Sequence, residues 1–168
     1  HAQTLIDDVL PMPVVSRTYE HVALQVITWA ELVDGTEQLM FEYHVENLCS
    51  ERLDCDLLVA LRPFLVNPPW QDLNVRGGFN PIWEMTIEPT EARFCVDEGT
   101  FKLEYEKPSC AASTSTFWGG DSFADAVSVV PGSAAVTDPL GHCSGVLQYR
   151  ETFEPFETKK FGFRLSFG

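Results

Sequence analysis

The sequence is short of positive charge. Only 11 of its 168 residues are Lys or Arg, whereas 25 are Asp or Glu, and the formal net charge is −14. Such a charge repels phosphate backbones and anionic lipid headgroups, so the composition argues against nucleic-acid binding and membrane-surface binding. Neutral partners are favoured.

Long apolar runs are also missing. No stretch approaches the roughly eighteen apolar residues that a membrane span needs. The N-terminus, HAQTLIDDVLPMP, lacks the basic start and the apolar core of a secretory signal. Because the chain opens without Met and stops directly after a strand-like segment, we expect a soluble piece of a larger protein.

Cysteine pairs of the CxxC kind are absent. The five cysteines are scattered and have no histidines at metal-ligand spacing, so we predict no metal site and no cofactor. Cys49 and Cys55 flank a predicted turn and could form a disulfide under oxidising conditions. We favour the alternative that these cysteines are small, buried apolar side chains. The cysteines therefore do not decide whether the protein belongs to the cytoplasm or the periplasm.

No long helical periodicity occurs, whereas period-two alternation is clear, above all in residues 38–46. After an extended lead-in over residues 1–18, which we expect to drape over a sheet, strands are predicted at 19–30, 38–46, 55–61, 82–87, 92–96, 101–105, 111–117, 144–153 and 159–167. Turn residues separate them. We therefore predict an all-β fold, a mostly antiparallel, supersandwich-like β-sandwich that forms a single domain over residues 1–168.

Two of the predicted connections are interpreted as hairpins in which neighbouring strands pair. The first joins 38–46 to 55–61 through a polar turn, and the second joins 144–153 to 159–167 through Glu154–Glu157. In the first of these segments we expect Phe41, Tyr43 and Val45 to point inward. A turn is predicted at Asp34-Gly35, and Asp97–Gly99 is a further hairpin-turn candidate.

The stretch Leu61–Trp83 interrupts the strands. Pro68 and Pro69 remove two backbone donors, and a second glycine-rich loop follows Phe117. Flat aromatic rings stack on the C–H faces of sugars, and amides and carboxylates bind sugar hydroxyls. The candidate carbohydrate-binding residues are therefore those of the two loops: Trp70, Gln71, Asn74, Trp83, Trp118 and Asp121. The alternative is that the tryptophans plug the ends of the sandwich.

Several sequence blocks carry a resemblance to a known family. These blocks are YHVEN, ALRPF, VNPPWQDLN, GGFNPI and TDPLGHCSGVLQYR. The chain resembles the β-sandwich domain of bacterial proteins related to glycogen-debranching and six-hairpin glycosidases. In that family the sandwich precedes an (α/α)₆ barrel that holds the catalytic carboxylates. The resemblance implies a companion domain of a bacterial carbohydrate-active enzyme, with the barrel as its partner.

No catalytic residue is assigned. Asp72, Glu84 and Asp121 are the candidates for a glycosidase pair, but acidic loop residues are usually solvated, and the histidines form no triad with a nucleophile. Three functions stay open. The chain is a non-catalytic accessory domain that packs against a barrel and contributes to carbohydrate binding, a free-standing lectin-like module, or a purely structural docking domain.

Overall fold

The computed structural model describes residues 2–6, 10–63, 80–106, 108, 111–116 and 134–167. These ranges contain no helix, and hence none that is long and apolar enough to cross a membrane. They form β1 (Ala2–Ile6), β2 (Leu10–Thr18), β3 (Val22–Val33), β4 (Thr36–Asn47), β5 (Leu53–Leu61), β6 (Glu84–Ile87), β7 (Glu91–Val96), β8 (Gly99–Tyr105), β9 (Ala111–Thr116), β10 (Ala135–Thr137), β11 (Cys143–Phe153) and β12 (Thr158–Phe167). The all-β, mostly antiparallel sandwich is confirmed.

The chain divides into two compact units. Unit 1 comprises His1–Leu57, Leu103–Lys107 and Arg150–Phe167, and unit 2 comprises Leu58–Lys102, Pro108–Tyr149 and Gly168. Strands β5, β8 and β11 each contribute residues to both units.

Unit 1 is built on an antiparallel sheet with the strand order β1-β2-β3-β4-β12. A tight turn joins β3 to β4, with Asp34 at φ 51° and Gly35 at φ 81°. Two successive positive φ angles suit the right-handed twist of a hairpin, so the predicted turn is confirmed, and the structure shows that it closes a hairpin. The predicted lead-in instead supplies β1 and β2 at one end of the sheet. The pairing of β2 with β3 begins at Val14, so the prolines of β2, which precede it, have only β1 as a neighbour and are tolerated as on an edge strand.

Aromatic side chains fill the inner face of unit 1. The rings of Phe41 and Phe163 stack with their centroids 5.3 Å apart, and Tyr43 meets Phe163 edge-on at 5.4 Å. The ring of Tyr105 lies 6.4 Å from Phe163, and Val45 is buried nearby on β4. Burial raises the pKa of the Tyr43 phenol. The predicted inward direction of Phe41, Tyr43 and Val45 is confirmed.

The two predicted hairpins across residues 47–54 and 154–157 are wrong. Strand β4 pairs with β3 and β12, whereas β5 and β11 belong to a separate three-stranded sheet of order β5-β11-β9. Each of the two connections therefore carries the chain from one sheet to the other. Alternation and turn residues are the same for a hairpin and for such a crossing, because neither depends on which strand becomes the hydrogen-bonding neighbour.

Asn47 ties both crossings together. Its side-chain amide donates to the carbonyl of Glu51 at 2.8 Å and to that of Glu154 at 3.0 Å, and its Oδ1 accepts from the N–H of Cys49 at 2.9 Å. Its backbone N–H donates to the carbonyl of Glu157 at 3.0 Å. With only 1% of its surface exposed, Asn47 supplies partners that water does not provide at this position.

Replacing this amide is expected to destabilise the fold. Asn47→Ala leaves one buried N–H and two carbonyls without their partner, so we expect a loss of about 2–4 kcal/mol of unfolding free energy. Chemical denaturation measures it, and Ser50→Ala, at an exposed position of the same turn, is the matched control. Equal midpoints for the two variants would show that Asn47 does not hold the crossings.

Unit 2 contains the antiparallel set β7-β6-β10 together with β9 and most of β11. Strand β9 belongs to the three-stranded sheet, yet it also contacts β6 and β10, so the two sheets face each other within this unit. Its core includes fully buried Met85, Ala92 and Leu147. The short strand β10 is not among the sequence-predicted strands.

Candidate functional site

Most of the carbohydrate-binding residues predicted from the sequence lie outside the described residues. These are Trp70, Gln71, Asn74, Trp118 and Asp121. Their role therefore stays a prediction, as does that of the two loops which carry them. Trp83 is the sixth candidate and lies in unit 2, just before β6.

Trp83 is half-buried and anchored on several sides. Its indole Nε1 donates to Asp97 Oδ1 at 2.8 Å, and its backbone N–H donates to the carbonyl of Cys95 at 2.9 Å. Its own carbonyl accepts from the N–H of Asp138 at 3.0 Å. The ring also lies beside Gly141, where a Cβ atom would come within 3.3 Å of Cζ3. This environment favours the role of a plug at the end of the sheet.

Gly141 tests that packing. A methyl group at this position would lie 2.4 Å from Pro81 Cβ, and the backbone has φ +73°, so we expect Gly141→Ala to lose about 2–5 kcal/mol of stability. Gly35→Ala is the control, because Gly35 has φ +81° but open space around it, and only about 1–2 kcal/mol should be lost there. Thermal and denaturant unfolding compare the two, and a smaller loss at Gly141 would contradict this packing.

A groove of about 440 Å³ opens on the outer face of unit 1, the side of the sheet opposite the aromatic cluster. Strand register explains its position. Trp29 pairs with Met40, Met40 pairs with Arg164, and Glu42 pairs with Gly162. Residues that are directly opposite each other in register point to the same face, so these side chains stand together. We call this site the outer groove.

Gly162 forms the floor of the outer groove. A Cβ atom built on it would meet no heavy atom within 4 Å, although it lies in the middle of β12. Glycine weakens a strand, and in a strand it often marks a place where another molecule approaches the backbone closely. Trp29 supplies a flat aromatic side chain beside this floor.

The charged groups of the outer groove are held in pairs. Arg164 Nε donates to Glu104 Oε2 at 2.7 Å. The side chain of Glu42 contacts that of His44, and Lys160 Nζ lies 3.8 Å from Glu42 Oε1. Side chains fixed in this way lose less freedom when they hydrogen-bond a ligand. The groove thus combines an aromatic surface, an open backbone floor, and fixed donors and acceptors.

None of the groove residues was predicted as a site from the sequence. They come from β3, β4, β8 and β12, and only the register brings them together. The available signals were Gly162 among the polar outward residues of β12 and Trp29 on the outward face of β3. Both are also compatible with ordinary strand positions.

Other reactive side chains give weaker candidates. Glu84 is exposed on β6, and its proposed partners Asp72 and Asp121 lie outside the described residues. Burial raises the pKa of the Cys143 thiol to about 11. The pKa of the Cys55 thiol is also raised, chiefly by burial and to a smaller extent by the negative charge of Asp56. Cys49 and Cys55 are both free thiols. The described part of the chain holds no cluster of three or more His, Cys, Asp or Glu residues suited to a metal ion.

No protein-family model matches the chain, and neither does any curated protein. Among solved structures it is similar to a candidate kojibiose phosphorylase from the human microbiome, with 10% identity and a TM-score of 0.48. The alignment covers 92% of this chain and 17% of that chain. A candidate aldose 1-epimerase from Klebsiella pneumoniae subsp. pneumoniae has 11% identity and a TM-score of 0.41, over 93% of this chain and 50% of that one.

The chain thus spans a small part of the first protein and half of the second. Both proteins are named for reactions on sugars. At this level of similarity the likeness carries no argument about the fold or the function of this chain.

Proposed function

We propose that the chain is a non-catalytic carbohydrate-binding β-sandwich domain, an accessory part of a carbohydrate-active protein, and that the outer groove of unit 1 holds the sugar. The observation that carries this proposal is the open floor at Gly162 beside Trp29 and the Glu104–Arg164 pair. The resemblance of the sequence blocks to glycosidase-associated sandwiches agrees with it.

The chemistry of the outer groove suits a neutral sugar. A pyranose presents C–H patches to an aromatic face and hydroxyls to carboxylate and guanidinium groups, and Trp29, Glu42 and Arg164 offer these partners. The strongly negative chain disfavours uronic acids and sulfated sugars. The volume also lies in the range of small-ligand clefts.

Binding rather than hydrolysis is proposed because two of the three carboxylates that line the outer groove are engaged by other side chains. Glu104 is bonded to Arg164, and Glu42 to His44. A glycosidase needs two carboxyl groups that face each other across the scissile bond, one of them as the proton donor. A bound oligosaccharide is therefore expected to be recovered uncleaved.

Filling the floor of the outer groove separates binding from folding. Gly162→Val places methyl groups in open space and replaces glycine by a strong strand former, so stability should be unchanged or rise by up to about 1 kcal/mol. Binding to an array of neutral and acidic oligosaccharides should fall at least about tenfold, which is about 1.4 kcal/mol. Retention on the array and denaturant unfolding measure the two effects.

Two tryptophan variants are the controls for that experiment. Trp29→Ala should lose about 1–3 kcal/mol of binding energy, whereas Trp83→Ala should lose stability and keep its affinity. A wild-type chain that retains no glycan, or a Gly162→Val chain that binds as well as wild type, would contradict the proposal. If Trp70→Ala removes binding and the other variants do not, the sugar site lies in the loop that was predicted from the sequence.

A second candidate function is the docking of a neighbouring domain, and one observation favours it. At the end of unit 1 beyond the aromatic cluster, Leu32, Leu39 and Phe167 are exposed by 68%, 41% and 51%. By register and alternation they lie on the same face as Phe163, so the inner face continues uncovered at this end. We call these three residues the apolar end. A catalytic barrel is the partner that the sequence resemblance implies.

An uncovered apolar end is expected to make the isolated chain self-associate. Sedimentation should show a weak dimer, with a Kd of about 0.1–1 mM. The double variant Leu32→Ser, Phe167→Ser should be monomeric. Leu140→Ser is the control, because Leu140 is 65% exposed in unit 2 and lies outside the apolar end. A monomeric wild type, or equal association of all three chains, would count against docking there.

A further inference from the structure

A second cleft, of about 250 Å³, opens on the same outer face of unit 1. Its side chains carry hydroxyl, amide, imidazole and carboxylate groups, and no aromatic carbocycle lines it. We call it the polar cleft, and its main lining residues are Ser16, Thr18, Ala23, Gln25, His44 and Thr158.

The strand register places the polar cleft and the outer groove side by side. Successive rows of outward side chains cross the sheet from β2 or β3 to β12, and each row holds residues that are directly paired. The rows, in order along β4, are Thr18-Ala23-Glu46-Thr158, Ser16-Gln25-His44-Lys160, Val14-Ile27-Glu42-Gly162 and Trp29-Met40-Arg164. The residues of the first two rows other than Lys160 line the polar cleft, and the last two rows contribute to the outer groove.

Each cleft has a small residue at its floor. Ala23 is paired with Glu46, and Gly162 is paired with Glu42 four residues away on β4. Four residues along a strand and two strand spacings across the sheet separate the two floors by roughly 17 Å. A single monosaccharide cannot reach both floors.

The boundary between the two clefts is a charged contact. Glu42 belongs to the outer groove and His44 to the polar cleft, and their side chains touch. Lys160 lies 3.8 Å from Glu42 on the same side. These groups place donors and acceptors between the floors, so a hydroxyl-bearing chain that crosses the boundary meets hydrogen-bonding partners there.

We infer that the polar cleft is a second subsite, and that the ligand is a linear oligosaccharide of neutral sugars which occupies both clefts at once. The outer groove holds one sugar by aromatic stacking, and the polar cleft holds another through Ser16, Gln25 and Thr158. Both signs of charge occur on this face, which matches a neutral chain with many hydroxyls better than a polyanion. The inference rests on the proposed function of the outer groove.

The test is a chain-length series. The malto-oligosaccharides and the cello-oligosaccharides, from the monosaccharide to the hexasaccharide, are titrated into the whole chain by calorimetry. In at least one series the affinity should rise at least about tenfold between the disaccharide and the hexasaccharide, because only the longer ligands reach the second floor.

Two variants locate the added contacts. Ala23→Phe fills the floor of the polar cleft with a side chain that strands tolerate, and it should reduce the gain with length to less than about twofold without changing disaccharide affinity. Gln25→Ala removes one amide and should reduce the gain in affinity with ligand length in part. It replaces Ala23→Phe as the test if thermal unfolding shows that Ala23→Phe is unstable. Gly162→Val should lower the affinity at least about tenfold at every length.

The outcomes separate this inference from the proposed function. Equal affinity for short and long ligands would overturn the second subsite and leave the outer groove as a single-sugar site. A steep gain that neither Ala23→Phe nor Gln25→Ala changes would also overturn it, since the added units would then lie elsewhere. If no ligand of either series binds wild type, the second subsite is overturned, whereas the proposed function is decided by retention on the oligosaccharide array.

Discussion

The register between β3, β4 and β12 is the constraint on which unit 1 depends. It sets Phe41 opposite Phe163, and the stacking of their rings at 5.3 Å holds the inner face. Because side chains alternate along a strand, a slip of one residue would send these rings to the solvent side and turn Glu42 and Arg164 inward. The aromatic cluster therefore fixes the outer groove as well, although none of its rings needs to contact a ligand there.

Much of the fold follows from the sequence, because period-two alternation depends only on neighbouring residues. The strand formed by residues 38–46, the turn at Asp34-Gly35 and the inward direction of Tyr43 are all predicted correctly. The pairing of strands is not. Residues 48–52 and 154–157 are of the types that ordinary turns contain. What distinguishes these connections from hairpin turns is the set of bonds made by Asn47, one of which joins positions 107 residues apart. No local pattern contains that information.

The candidate site is less predictable for the same reason. Sequence reasoning favours loops, where polar and aromatic residues stand out from their surroundings, and it selected Trp70 and Trp118 on those grounds. The outer groove is built from strand residues, each of which is unremarkable in its own segment. Trp29 and Gly162 come within one site only because β3 and β12 both pair with β4. Trp83, which did stand out, is held by Asp97 and packs beside Gly141.

The two faces of unit 1 differ in the kind of partner that they suit. The outer face carries fixed charged pairs and an open glycine, which lose little by remaining solvated and gain directional bonds when a hydroxyl-rich ligand arrives. The apolar end of the inner face, with Leu32 and Phe167 exposed, gains chiefly from removing apolar area from water. Because each residue of a strand is committed to one side, a sugar on the outer face and a protein domain at the apolar end do not compete for the same side chains. Carbohydrate binding and domain docking are therefore compatible within this one sheet.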